Sequence, residues 1–313
     1  MEVFLTILGL IAGLALVVVG SDFLVDGASA VARKAGISEF VIGLTIVGFG
    51  TSCPELVVSL TGALKGISDI AIGNVIGSNV FNAMFILGLT AVILPVPITL
   101  ANRRRDLPIG ILVTVLFLAL SSDGKISLAD GIVMLVAFAA YMFYCFKFDS
   151  RNIQQEEADS ILDRKLWLAV IFILAGLAGL VFGGRIFVDK AVTLARMAHL
   201  SDKFIAITIL AGGTSLPELA TSVVAAIKGK GQMALGNILG SNVFNLLLII
   251  GAAALVSPLS SAGMNMMDMV VLLLAPVLLY LWSYTGKSDR IDRWEGAVLL
   301  CCFIAYYVYL FIN

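Results

Sequence analysis

Two short stretches of this chain carry an acid where the neighbouring residues are mostly apolar. GTSCPEL occupies residues 50–56 and GTSLPEL occupies residues 213–219. Thr51, Glu55 and Ser59 are spaced i, i+4, i+8, so on a helix they share one face, and Ser52 flanks Glu55 three residues earlier. Thr214, Ser215, Glu218 and Ser222 repeat the pattern. Pro54 has no amide hydrogen, so the carbonyl of Gly50 loses its helical partner, and Pro217 does the same to Gly213. Bare carbonyls at membrane depth are tolerated only where they line a cavity or meet a ligand. The predicted bend therefore presents oxygen atoms to a site.

A second pair of motifs adds more oxygen. GNVIGSNVFN spans residues 73–82 and GNILGSNVFN spans 236–245. Ser78 and Asn82 are four apart, as are Ser241 and Asn245. The whole set is carboxylates, hydroxyls, amides and backbone carbonyls, without His or Cys. Such hard ligands suit calcium, sodium or magnesium. One acid at mid-helix costs about 2.5–3.5 kcal/mol on insertion scales. Two demand neutralisation, which one divalent cation supplies and which sodium ions or protons can replace. An empty, doubly charged site would be expensive to carry through an occluded state, and that penalty favours exchange over leak.

The elements that must position these residues follow from composition. The chain has 313 residues, 60% hydrophobic and 13% charged, against about 25% charged in a soluble domain. Mean hydropathy is +1.05. This is the composition of an integral membrane protein. A formal net charge of -1 gives no bulk attraction for nucleic acid. About 20 apolar residues cross the hydrocarbon core. Ten candidate spans result, roughly 3–29, 38–64, 69–94, 108–120, 126–146, 166–195, 202–227, 233–256, 264–285 and 293–312. The first run lacks a basic leader and a cleavage pattern, so it reads as a retained helix.

The motifs recur at one fixed offset of 163 residues, and Gly20/Gly183, Asp26/Asp189, Lys65/Lys228 and Pro95/Pro258 keep the same step. Five spans separate each helix from its echo. Five is odd, so the second half enters upside down. Inverted repeats with interrupted helices belong to secondary transporters with binding sites near the midplane. The expected fold is an all-α membrane protein: ten transmembrane helices in two inverted five-helix repeats, with helices 2, 3, 7 and 8 interrupted. Residues 1–146 and 166–313 form the repeats and 147–165 a charged linker loop. One face collects Arg33, Lys34, Arg103, Arg104, Arg105, Lys147, Arg151, Arg164, Lys165, Lys228, Lys230, Lys287, Arg290 and Arg293; the other takes Lys65, Lys125, Arg185, Lys190, Arg196 and Lys203. The richer face is expected to be cytoplasmic, with both termini outside.

Other features have plainer readings. Gly73/Gly77 and Gly236/Gly240 are small-xxx-small patterns that close helix packing explains. Asp22, Asp26, Arg185, Asp189 and Lys190 are expected to snorkel or pair near the interfaces. Arg103–Arg105 serve topology and lipid headgroups, and His199 sits incidentally near a helix end. Cys53, Cys145, Cys301 and Cys302 lie in apolar segments without disulfide or zinc spacing. Gly286-Lys287-Ser288 looks like the end of a P-loop, but Leu281 stands at the required first glycine. No enzyme motif supports catalysis or ATP-driven pumping, and no cofactor is expected.

The paired motifs, GTSCPEL with GNVIGSNVFN and GTSLPEL with GNILGSNVFN, resemble the alpha repeats of the calcium/cation antiporter superfamily, most closely its prokaryotic sodium/calcium exchanger branch. The resemblance covers nearly the whole chain. It implies a core of helices two to five and seven to ten, crossed by long first and sixth helices that slide to switch access. It implies that Glu55 and Glu218 are the central calcium ligands, shared with sodium, joined by the carbonyls of Thr51 and Thr214. Ser52 and Ser78 would help form the inner sodium site, and Ala211, Ser215 and Ser241 the outer one. Gly48 stands where a family alanine lends its carbonyl. Family members often carry an aspartate at one of the two asparagine positions; here Asn82 and Asn245 are both neutral, which leaves open the ion ratio and potassium dependence, and by their residue type alone they either ligate or bridge helices.

The expected function is antiport of calcium against sodium in a plasma membrane, with lipid as the only other partner and no obligatory protein partner. A proton-driven calcium exchanger, a cation channel on the same carboxylates, and an intramembrane receptor or scaffold remain as alternatives.

Overall fold

The computed structural model describes residues 2–147, 165–198, 211–285 and 289–312. His199, Arg151, Arg164, Lys203, Gly286-Lys287-Ser288, most of the linker loop and the start of the seventh span lie outside the described residues.

Helices dominate. Two long ones, α1 (Glu2–Ala35) and α7 (Leu166–Met197), lie side by side. Their order of contact shows the direction: Gly13 meets Gly183 and Phe187, Gly20 meets Gly176 and Leu180, and Gly27 meets Ala169 and Ile173. The pair is antiparallel. The second span is broken into α2 (Glu39–Thr51) and α3 (Cys53–Leu64), bent by 49°. Then come α4 (Ser68–Ile93), α5 (Leu107–Leu120) and α6 (Leu128–Lys147). After α7 follow α8 (Ala211–Thr214), α9 (Leu216–Ile227), α10 (Gly231–Val256), α11 (Met266–Trp282) and α12 (Arg293–Ile312). Among the described residues, six helices are long and apolar enough to cross a membrane, or seven with the broken pair counted as one. The helices α5, α9 and α11 are shorter.

Two sequence expectations need correction. The third and eighth spans, α4 and α10, are continuous helices. Neither contains a proline, so no carbonyl is freed. Each instead widens into a π-helical stretch, Phe81–Ile86 and Phe244–Ile249, at the same repeat position. Such stretches inside α-helices recur at functional sites. The arginine triplet is helical too: Asn102–Asp106 is a π-helical turn leading into α5. Asp106 makes this possible, accepting from Arg105 Nε at 2.7 Å and from Asn102 Nδ2 at 3.0 Å. Arg103 lies 5.1 Å from the Tyr284 ring centroid, which ties the triplet to the end of α11.

The repeat is legible in small matched details. Gly66 and Gly229 hold positive φ of 69° and 75° just past α3 and α9, where a side chain would be strained. Two short antiparallel ladders join the halves: β1 (Val96–Pro97) with β4 (Arg290–Ile291), and β2 (Lys125–Ile126) with β3 (Leu259–Ser260).

The halves also interlock through glycine. A Cβ on Gly236 would stand 2.2 Å from the Phe40 carbonyl, and one on Gly240 would stand 2.5 Å from that of Leu44. These contacts fit the close packing expected of that motif, setting α10 against α2, whereas a Cβ on Gly73 or Gly77 would meet nothing within 4 Å among the described residues. One core cluster fills the space among α2 to α6 and α10 to α12. A second sits where α1 lies on α9, with Val17, Leu24, Val25 and Ala28 packed near Ala225 and Ala226. At that end Lys228 Nζ lies 2.6 Å from Asp22 and 2.7 Å from Asp26, the pairing expected of both aspartates.

Candidate ion site

The break between α2 and α3 builds the first arm of the site. Ser52 has φ −81° and ψ 5°, outside the regular helix, and Pro54 opens α3 where its missing amide costs nothing. Glu55 thereby falls in the first turn of α3 and is fully buried. The second arm is its repeat. Ser215 has φ −88° and ψ 8°, Pro217 opens α9, and Glu218 is fully buried in its first turn.

The serines cross between the arms. Ser52 Oγ donates to Glu218 Oε1 at 2.9 Å, and Ser215 Oγ donates to Glu55 Oε1 at 3.1 Å. Each motif's hydroxyl therefore reaches the other motif's acid, which brings both carboxylates into one buried centre. Ser78 Oγ donates to Glu55 Oε1 at 3.4 Å. Its repeat mate Ser241 is buried with its Oγ unpartnered, as are Thr214 Oγ1, Glu55 Oε2 and Glu218 Oε2. Buried polar oxygens without partners are costly. With Oδ1 of Asn82, Asn242 and Asn245, seven such oxygens lie on these motifs, which is what a site for a desolvated cation needs. Among the described residues no group of three or more His, Cys, Asp or Glu side chains could hold a metal. Two carboxylates and neutral oxygens make up the donor set.

The asparagines divide. Asn245 Nδ2 donates to Asn79 Oδ1 at 2.9 Å, while both amide atoms of Asn82 are buried and unpartnered. Neither is hydrogen-bonded to a glutamate. Ala211 begins α8, and Gly48 O accepts from Ser52 N and from Thr51 Oγ1. Two residues that the sequence reading passed over hold the arms. Asn74 Nδ2 donates to Glu55 O and Ser59 Oγ at 3.2 and 3.0 Å. Asn237 Nδ2 donates to Glu218 O and Ser222 Oγ at 3.3 and 2.9 Å. Their signal was available, since both stand second in the repeated GN motif. Asn79 Nδ2 likewise donates to the Asn242 carbonyl at 3.2 Å, joining α4 to α10.

A family model described as sodium/calcium exchanger protein matches residues 5–147 and 168–312. The chain belongs to the sodium/calcium exchanger family. Relatives extend over nearly its full length. CaxA of Alkalimonas amylolytica is 39% identical over 307 residues, covering 96% of each chain. The sodium/calcium exchanger MaX1 of Methanosarcina acetivorans is 33% identical, covering 96% of this chain and 97% of that one. A structure of the sodium-calcium exchanger NCX_Mj, soaked with zero Na+ and Ca2+, superposes with a TM-score of 0.86 at 32% identity, covering 98% of this chain and 99% of that one. The chain is thus a multi-pass membrane protein of the exchanger family, with an all-α fold like that of NCX_Mj.

Proposed function

We propose that this protein is a secondary antiporter that exchanges calcium for sodium across a prokaryotic inner membrane by alternating access. The observation that carries the reading is the crossed pair of bonds, Ser52 to Glu218 and Ser215 to Glu55, which gathers two buried acids from two repeats. Glu55 and Glu218 are the central calcium ligands, helped by the carbonyls of Thr51 and Thr214. Ser52, Ser78, Ser215, Ser241 and Ala211 serve sodium, and Asn82 and Asn245 complete the oxygen-rich lining. Calcium matches the two formal charges; sodium ions bring the same charge in separate steps.

The finer architecture belongs to this reading. The three shorter helices and the segment ahead of α8 complete ten spans in two inverted halves of five, divided by the 147–165 loop. The antiparallel course of α1 and α7, which are repeat mates, supports the inversion. So do the repeat-matched breaks at Ser52 and Ser215. The basic face that holds Lys228 and Lys230 is cytoplasmic, which leaves both termini outside.

The deciding experiment is calcium flux into proteoliposomes under sodium, potassium and proton gradients imposed one at a time. Sodium alone should drive uptake. Full uptake on a sodium-free proton gradient would replace sodium with protons, and single-channel currents without counter-ion dependence would make the protein a channel. Within this scheme Ser78→Ala is expected to be mild. Its 3.4 Å contact is a long hydrogen bond to an acid that keeps Ser215 as a second donor, so the loss in exchange rate should be about three- to tenfold. A loss as large as that of either glutamate would make sodium binding the limiting step.

A further inference from the structure

The two arms match in residue type and differ in bonding. Asn237 is fully buried, and besides its two donated bonds its Oδ1 accepts from Thr51 Oγ1 at 3.2 Å. Asn74 donates the same two bonds in its own half. Yet Thr214, the mate of Thr51, makes no hydrogen bond to Asn74. Both arms are tied across the halves by their serines, but only the first is tied to an asparagine of the other half through its threonine.

This difference coincides with a second one. Helix α1 covers α9: Ala220 and Val224 pack against the cluster that α1 forms, and Lys228 is held between Asp22 and Asp26. The mates on α3 are uncovered, with Val57 57% exposed and Thr61 exposed. Lys65 is exposed as well and makes no ion pair among the described residues. The reason is written in the sequence, because Arg185 stands where the repeat of Asp22 would be. The described conformation is therefore closed at the Lys228 end and less covered at the Lys65 end.

We propose that Asn237 and Asn74 are positioning residues of the ion site, each serving one of the two access states. This rests on the antiport reading above. The Thr51 hydroxyl, whose one proton is shared between Asn237 Oδ1 at 3.2 Å and Gly48 O at 3.3 Å, ties the last residue of α2 to Asn237 on α10, and the same amide ties α10 to the Glu218 carbonyl. One side chain thus fixes the backbone at the first break relative to the second acid. When α7 comes to cover α3, repeat symmetry makes Thr214 donate to Asn74, and the Thr51 bond is released. Asn237 then sets calcium affinity for ions arriving from the Lys65 face, and Asn74 sets it for ions arriving from the Lys228 face.

The test uses the full-length chain in proteoliposomes of known orientation, with calcium as the probe and calcium–calcium exchange measured from each face. Asn237→Ala should raise the half-saturating calcium concentration about three- to tenfold at the Lys65 face, the loss expected for one buried hydrogen-bond network. It should leave the Lys228 face within a factor of two, on the order of the scatter of such measurements. Asn74→Ala should do the reverse. Equal shifts at both faces, or a lower maximal rate with unchanged half-saturation, would overturn the proposal and leave these asparagines as packing residues. If Asn237→Ala does not fold, Asn237→Leu keeps the side chain's volume, removes the same bonds and must give the same one-faced shift; a two-faced shift overturns the proposal equally. A wild-type protein without sodium-driven flux would instead defeat the antiport reading itself, which the same vesicles report separately.

Discussion

Glu55→Gln is expected to abolish calcium exchange while the protein still inserts and folds, and Glu218→Gln is expected to do the same. Each acid is fully buried and has one oxygen, Oε2, with no partner in the protein. Its other oxygen accepts from the opposite motif's serine. Gln keeps the shape and an acceptor oxygen for that serine, so the fold should survive. It removes the charge that, on the proposed antiport reading, holds a divalent cation in a low-dielectric centre. Removing one partner of a buried charge pair costs about 3–5 kcal/mol, or roughly 150- to 4,000-fold in affinity. The check is calcium flux in vesicles beside a thermal melt of the purified variants. Undiminished flux in the double variant would end the assignment of these acids as ion ligands.

Much of this site was legible in the chain because the repeat says everything twice. A lone Glu55 in an apolar run is ambiguous, since an acid can also brace a helix. A second acid 163 residues later, with Thr, Ser and Pro at the same offsets, makes a shared role the simpler account. The proline was equally informative. Its effect on the Gly50 carbonyl is local chemistry, and the break at Ser52 follows from it. Other features depend on partners that periodicity does not reveal. The predicted interruption of spans three and eight failed because glycine permits a bend without requiring one. In α10 the glycines instead admit the backbone of α2. Asn74 and Asn237 were passed over because an Asn inside a small-xxx-small pattern looks like packing. Only the fold reveals that their amides grip the carbonyls of Glu55 and Glu218. The helical arginine triplet was hidden for a related reason. Three consecutive charges read as loop until Asp106, Asn102 and Tyr284 are seen to hold them.

The second large effect is expected at the seam between α1 and α7. Gly13, Gly20, Gly176 and Gly183 form a twofold set, because Gly13 and Gly176 are repeat mates and so are Gly20 and Gly183. A Cβ on Gly20 would stand 2.8 Å from both Gly176 O and Leu180 N, and one on Gly176 would stand 2.6 Å from Leu24 N. The obstacles are backbone atoms, which cannot turn aside as a side chain can. Overpacking of this kind costs about 1–3 kcal/mol for one added carbon. The seam has a further property: at Gly20 and Gly176 main chain meets main chain, while side chains interlock elsewhere along it, Phe23 with Phe172 and Leu16 beside Gly183. A methyl at Gly20 supplies a ridge that must climb over the facing carbonyls at every passage. If the strain is felt mainly during that passage, Gly20→Ala should slow exchange roughly 5- to 150-fold, and Gly20→Leu should abolish it. Gly184→Ala is the control on the facing helix, since among the described residues nothing outside its own helix stands within 4 Å of its would-be Cβ. It should leave the rate near wild type. Exchange by Gly20→Leu at the wild-type rate would mean that α1 and α7 do not move along this seam during transport, and the route between the two access states would have to be sought elsewhere in the fold.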